Sequence, residues 1–155
     1  MKRNYIFFAV ALAGAASAVT VASAQPSVPT AHLSHAATVE LRHTSLGTIL
    51  ASSSGRTLYE FTRDHTNKSS CATISGCSEV WPSLKASGKP TAGSGVRASL
   101  LSSINLSGGG KQVTYAGHPL YLYSGDSGPG RTFYVGVKQF GGAWYAITGS
   151  GATAK

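Results

Sequence analysis

From Thr38 onward, apolar and polar positions alternate in short runs broken by glycine, serine and proline. Thr38-Val39-Glu40-Leu41-Arg42 has a period of two, the mark of a half-buried strand. Leu46 to Ala51 predicts a second strand. Ser52-Ser53-Ser54-Gly55 is a turn, and Arg56 to Thr62 returns as a third strand, so the pair reads as a hairpin. Asp64 to Ser78 reads as polar loop. Pro82 turns Trp81 away from helical geometry, and Trp81 is expected to plug the core. Lys85 to Gly95 reads as a Gly/Pro/Ser linker between two halves, and Val96 to Leu101 as a helical turn.

The second half repeats the rhythm. Lys111 to Tyr115 and Pro119 to Ser124 predict a hairpin with Ala116-Gly117 at its tip. Gly125 to Arg131 is a glycine-rich loop. Thr132 to Val137 and Ala143 to Ile147 predict two closing strands around Gly141-Gly142, and residues 149–155 form a small-residue tail. No long helical period occurs. The expected fold is all-β: one small domain over 38–148, built from two pseudo-symmetric hairpin repeats, with short helical turns at most.

The repeat is also written in the residues. Gly55-Arg56-Thr57-Leu58-Tyr59-Glu60-Phe61-Thr62-Arg63-Asp64 aligns with Gly117-His118-Pro119-Leu120-Tyr121-Leu122-Tyr123-Ser124-Gly125-Asp126, giving G-x-x-L-Y-x-[FY]-[ST]-x-D over 55–64 and 117–126. Side chains two apart share a strand face. Tyr59 and Phe61 therefore lie together, as do Tyr121 and Tyr123, with Leu58 and Leu120 on the opposite faces. Leu122 makes the second strand apolar on both sides. Glu60 stands in its place in the first copy, where greater exposure is expected. Asp64 and Asp126 fall at the strand ends, where a carboxylate accepts backbone N–H groups and locks a turn. Brought together, the same two carboxylates could instead bind a metal or act as an acid/base pair. His65 and His118 are further candidate metal ligands, though they sit at different places in the two copies.

Composition adds location. Lys2 and Arg3, the apolar run from Tyr5 to Val21 and Ala22-Ser23-Ala24 form a signal peptide over residues 1–24, with cleavage expected before Gln25. Residues 25–37, with Pro26, Pro29, His32 and His35, read as a flexible lead. No later stretch approaches a membrane span. Lys and Arg number 13 against 5 Asp and Glu, a formal charge of +8; removing Lys2 and Arg3 leaves +6. These charges are scattered, which favours solubility and loose attraction to anionic polymers over nucleic acid. Cys71 and Cys77, a close even pair in an exported chain, read as a disulfide. No catalytic residue set is indicated. Ser-His-Asp geometry, G-x-S-x-G, H-E-x-x-H and a phosphate loop all lack support, and no cofactor is implied.

These residues resemble the bacterial secreted-repeat lipoprotein family of unknown function, defined by Y-x-[FWY]-x-x-D. Tyr59 to Asp64 and Tyr121 to Asp126 carry the motif. Gly55 to Leu58, the Cys71/Cys77 pair before Trp81-Pro82, Gln112 to Tyr121 and Gly141-Gly142-Ala143-Trp144-Tyr145 accompany it. The resemblance implies an exported, envelope-associated protein and brings no activity with it. Many such proteins carry a lipid-bearing cysteine after the signal, whereas the first cysteine here is Cys71. A periplasmic or extracellular protein without a lipid anchor is expected. Its function is expected to be a non-catalytic module for an envelope component or small ligand, with metal binding and then hydrolysis as alternatives.

Overall fold

The computed structural model describes residues 36–155. The expected signal peptide, and with it His32 and His35, lies outside the described residues. The described residues form one small all-β domain with three sheets.

Strand β1 (Thr38–Thr44) pairs with β2 (Gly47–Ser52) in an antiparallel hairpin, Leu41 opposite Leu50. The chain then turns again. Gly55 N–H donates to Ser52 C=O, and Leu58 N–H donates to Leu50 C=O at 3.1 Å. The expected pairing of Leu46–Ala51 with the motif strand thus holds only as far as Leu58. From Tyr59 the chain leaves β2, and β3 (Tyr59–Phe61) enters another sheet.

The second half follows the same plan. Strand β6 (Leu101–Asn105) pairs with β7 (Lys111–Tyr115), and β7 pairs with β8 (His118–Pro119) around Ala116-Gly117. Leu120 N–H donates to Val113 C=O at 2.9 Å, the counterpart of Leu58 on Leu50. Strand β6 went unpredicted because Ser102, Ser103 and Asn105 give Leu101–Asn105 almost no apolar period. The regular strand expected over Pro119–Ser124 ends at Pro119, and Tyr121 makes only isolated bridges.

The stretch read as a linker is pinned at both ends. Strand β4 (Lys85–Ala86) pairs with β7, and β5 (Thr91–Ala92) pairs in parallel with β1. Ala98–Leu100 forms the expected helical turn. Cys77–Val80 (α1) is a single short helix. Residues 132–137 are turns and not a strand: Val135 N–H bonds back to Thr132 C=O, and Gly136 adopts φ +85°. Strands β9 (Lys138–Gln139) and β10 (Gly142–Ile147) make the final hairpin, and β11 (Thr153–Ala154) pairs with β10.

Two cores result. Leu58 and Leu120 point into an aliphatic one with Val39, Leu50, Val113 and Ile147. Tyr59, Phe61 and Tyr121 point the other way, into an aromatic core with Trp81, Trp144 and the Cys71–Cys77 disulfide. The period-two division of the motif into two faces is therefore what separates the cores.

Candidate functional site

The two motif copies meet at one point. Tyr59 and Tyr121 exchange both backbone hydrogen bonds, each N–H donating to the other's C=O at 2.9 Å. A reciprocal pair of this kind is a local two-fold axis. The motif tyrosines, aspartates and glycines and the two tryptophans follow that axis.

The tyrosine hydroxyls cross between copies. Tyr121 O–H donates to Asp64 Oδ2 at 2.7 Å, and Tyr59 O–H donates to Asp126 Oδ2 at 3.2 Å. Each motif's tyrosine thus holds the other motif's aspartate. The loops cross as well. Asn67 N–H donates to Gly117 C=O at 2.7 Å, and Gly130 N–H to Gly55 C=O at 2.9 Å. Both glycines have positive φ, +77° at Gly55 and +84° at Gly117. A Cβ at Gly55 would stand 2.9 Å from Pro129 Cβ, and one at Gly117 would stand 2.8 Å from Thr66 Cγ2. Glycine is therefore required twice over at the head of each motif, by conformation and by close approach of the other copy's loop.

The strands cross too. Strand β3 of the first copy pairs with β10, Phe61 opposite Trp144. In the second copy, Tyr121 bridges Ser83, Leu122 N–H donates to Pro82 C=O and Ser124 N–H donates to Val80 C=O. Each motif strand lies against the tryptophan segment of the other half.

The tryptophans complete the symmetry. Trp81 and Trp144 stack face to face, with centroids 4.0 Å apart and planes 2° apart. Phe61 stacks on the outer face of this pair at Trp144, 4.1 Å away, and Tyr123 packs tilted against Trp81 at 4.7 Å. Tyr59 meets Trp81 edge-on at 5.2 Å, and Tyr121 meets Trp144 edge-on at 5.1 Å. Such pairs contribute about 0.5–1.5 kcal/mol each beyond area burial. The sequence carried a signal for this pairing: Trp81 and Trp144 stand 63 residues apart, close to the 62 between the motif tyrosines.

The four candidate ligands are committed elsewhere or apart. Asp64 accepts Ser70 N–H on Oδ1 at 2.6 Å and Tyr121 O–H on Oδ2. Burial raises the Asp64 pKa, against the opposing pull of these donors. Asp126 is buried, and burial likewise raises its pKa against the Tyr59 hydroxyl and the charges of Arg56 and Arg131. His65 is exposed. His118 Nδ1 lies 2.6 Å from Glu60 Oε2. Among the described residues no three His, Cys, Asp or Glu side chains group closely enough to hold a metal ion.

Glu60 is the sharpest correction. It is 6% exposed, not the more open position expected. Its carboxylate accepts Thr153 O–H at 2.5 Å and faces His118. Burial alone would raise its pKa; the hydrogen bonds from His118 and Thr153 and the charges of His118 and Lys155 outweigh burial and lower it. The bond to Glu60 raises the His118 pKa, against burial and with help from the charges of Glu60 and Asp64. The partner that makes this burial possible comes from the other copy, which a single-strand reading cannot supply.

Two of the grooves beside this framework exceed 500 Å³. One, of about 540 Å³, lies at the β9–β10 hairpin tip against Thr62, Lys138 and Phe140. The other, of about 520 Å³, runs beside β6. Phe133 is 74% exposed, and Arg131 Cζ lies 5.4 Å from its ring centroid.

A family model described as a secreted repeat of unknown function matches residues 102–148. The match supports the family resemblance and is consistent with an exported protein. The matched span begins in β6 and ends just after β10. Shifted by the 63 residues between the tryptophans, it corresponds to 39–85, which begins in β1 and ends in β4. The match therefore covers the second of the two structural halves. No curated protein and no solved structure matches the chain. Among the described residues no helix is long and apolar enough to cross a membrane.

Proposed function

We propose that this protein is an exported, non-catalytic binding or structural module of the cell envelope, periplasmic or extracellular. One observation carries the reading: the motif tyrosines and aspartates are hydrogen-bonded across the two copies, through one oxygen of each carboxylate. Tyr59 holds Asp126 and Tyr121 holds Asp64. Carboxylates used in this way build the scaffold, and recognition is left to the surface. The exposed Phe133 beside Arg131 and the two open grooves supply aromatic, cationic and hydroxyl-lined contacts there.

A binding screen of the purified protein against envelope fractions, glycans, peptides and metabolites tests this. Retention of a defined component, weakened by Phe133→Ser or by changes at the grooves, is the expected result. Failure to retain any component would sink the reading. The metal alternative is tested on the same preparation. Elemental analysis of chelator-free protein is expected to give equal metal content for the natural chain and the Asp64→Ala/Asp126→Ala variant; a stoichiometric metal lost in the variant would replace the binding-module reading.

A further inference from the structure

The two-fold plan is broken at one place. In the first half, the outer edge of β1 is covered by β5. Thr91 N–H donates to Ala37 C=O at 2.9 Å, and Gly93 N–H to Val39 C=O at 2.8 Å. In the second half, β6 holds the corresponding place. Leu58 on Leu50 and Leu120 on Val113 equate those two acceptors; Leu41 opposite Leu50 and Ser103 opposite Val113 then equate Leu41 with Ser103, and Val39 with Leu101. Yet β6 ends its sheet, and no described strand pairs with its far side.

The backbone groups facing that open side can be assigned. Ala116 N–H donates to Leu100 C=O, and Leu106 N–H donates to Gly110 C=O. In an antiparallel ladder, bonded residues alternate, so 102 and 104 also bond to β7. Leu101, Ser103 and Asn105 therefore turn their N–H and C=O groups outward. An open row of this kind is a template for another strand.

The groove beside β6 fits such an addition. Ser102, Ser103 and Ile104 all border it, although successive side chains point to opposite faces. Most of the lining, Leu100, Ser102, Ile104, Thr114 and Ala116, lies on one face of the β6–β7 pair, where Ser102 is opposite Thr114, so the groove covers that face and meets the open edge at Ser103. Its wall includes Thr114, fully buried, whose hydroxyl has no hydrogen-bond partner in the protein. The groove continues to Asn67 and Gly117, whose hydrogen bond is part of the junction between the halves. No ionisable side chain lines it, in a chain with a formal charge of +8. A charged occupant would find no counter-charge there.

We propose that the open edge of β6 is a strand-addition site for an extended, uncharged peptide of another polypeptide, with small side chains of the Pro-Thr-Ala-Gly kind. It docks parallel to β6 in the manner of Pro90-Thr91-Ala92-Gly93 on β1 but two residues further along, with its donors on Leu101 and Ser103 C=O, because Ser99, the equivalent of Ala37, lies in the turn Ala98–Leu100. Main-chain hydrogen bonds supply the attachment. The proposal rests on the binding-module reading and names its ligand class.

The test uses the full chain and a capped synthetic peptide, Pro-Thr-Ala-Gly-Ser, the sequence of residues 90–94. Amide NMR during titration is expected to show shifts and new exchange protection at Leu101, Ser103 and Asn105. Methylating the peptide nitrogens of Thr and Gly removes the two donors and should weaken binding more than about tenfold. Ser103→Pro, which removes an outward N–H and no β7 bond, should do the same with an unchanged melting temperature. If that variant fails to fold, the methylated peptide still decides. Any of three results overturns the proposal: no binding at millimolar peptide, equal binding of the methylated peptide, or β6 amides already protected in the full chain before peptide is added. The last would mean the edge is filled from within the chain or by a second copy. If the peptide fails while an envelope component still binds, this proposal alone falls; if both fail, the binding-module reading falls with it.

Discussion

Tyr121 donates its hydroxyl to Asp64 across 57 residues of chain at 2.7 Å, while its counterpart Tyr59 reaches Asp126 at 3.2 Å. The two clasps are equivalent by topology and unequal by geometry. A hydrogen bond to a charged group contributes about 1.5–3 kcal/mol. Tyr121→Phe should therefore destabilise by about 2 kcal/mol and Tyr59→Phe by about 1 kcal/mol. Urea unfolding of both variants checks the order. Equal losses would show that the difference in length carries no energy.

The Glu60–His118 pair should shape stability against pH. The Glu60 pKa is lowered in the fold, so its contribution is fully present above its ordinary value of 4.5 and is lost as pH falls through the lower folded value. The His118 pKa is raised, so its contribution is fully present below the ordinary 6.5 and is lost as pH rises through the higher folded value. Both are complete between 4.5 and 6.5. The melting-temperature difference between the natural chain and His118→Gln should be largest in that window and shrink on either side. A difference that is flat across pH would show that the pair's charge plays no part.

The Cys71–Cys77 bridge spans a sequence separation of 6. Closing so short a loop constrains the unfolded chain by about 2 kcal/mol on the loop-entropy model. The Cys71→Ser/Cys77→Ser variant should lose about that much and also loosen the packing beside Trp81. Denaturant titration measures the loss, and near-ultraviolet circular dichroism reports the tryptophan environment.

Crossed strands predict how the halves behave when cut. A protease site inserted between Gly88 and Lys89 falls after β4 and before β5. The nicked chain should elute as one species in native buffer and separate only in denaturant, because each motif strand is bonded to the other half. Separation in native buffer would contradict that pairing.

Much of the fold was written in the alternation. The β7–β8 hairpin turns at Ala116-Gly117 as expected, and the two faces of Tyr59-Glu60-Phe61 divide the aliphatic from the aromatic core as period two requires. What could not be read was partnership. Glu60 is expected to be exposed because a carboxylate stands where the second copy has Leu122; its partner His118 arrives from the other copy. Asp64 and Asp126 looked like local turn groups, and Asp64 does accept Ser70 N–H. Their bonds to Tyr121 and Tyr59 depend on a two-fold axis that spacing alone does not reveal. Residues 132–137 looked like a strand from Phe133, Val135 and Val137, but Tyr134 and Gly136 stand in turns that feed β9.

The exchange of strands between halves also sets a rule of number. A single copy of this repeat has a motif strand with no ladder, a tyrosine with no carboxylate and half of a tryptophan stack. A third copy added to the chain would face the same deficit. Duplication can lengthen such a protein only in steps of two, and loss of one copy removes the fold of the other. Selection on either half is therefore selection on both.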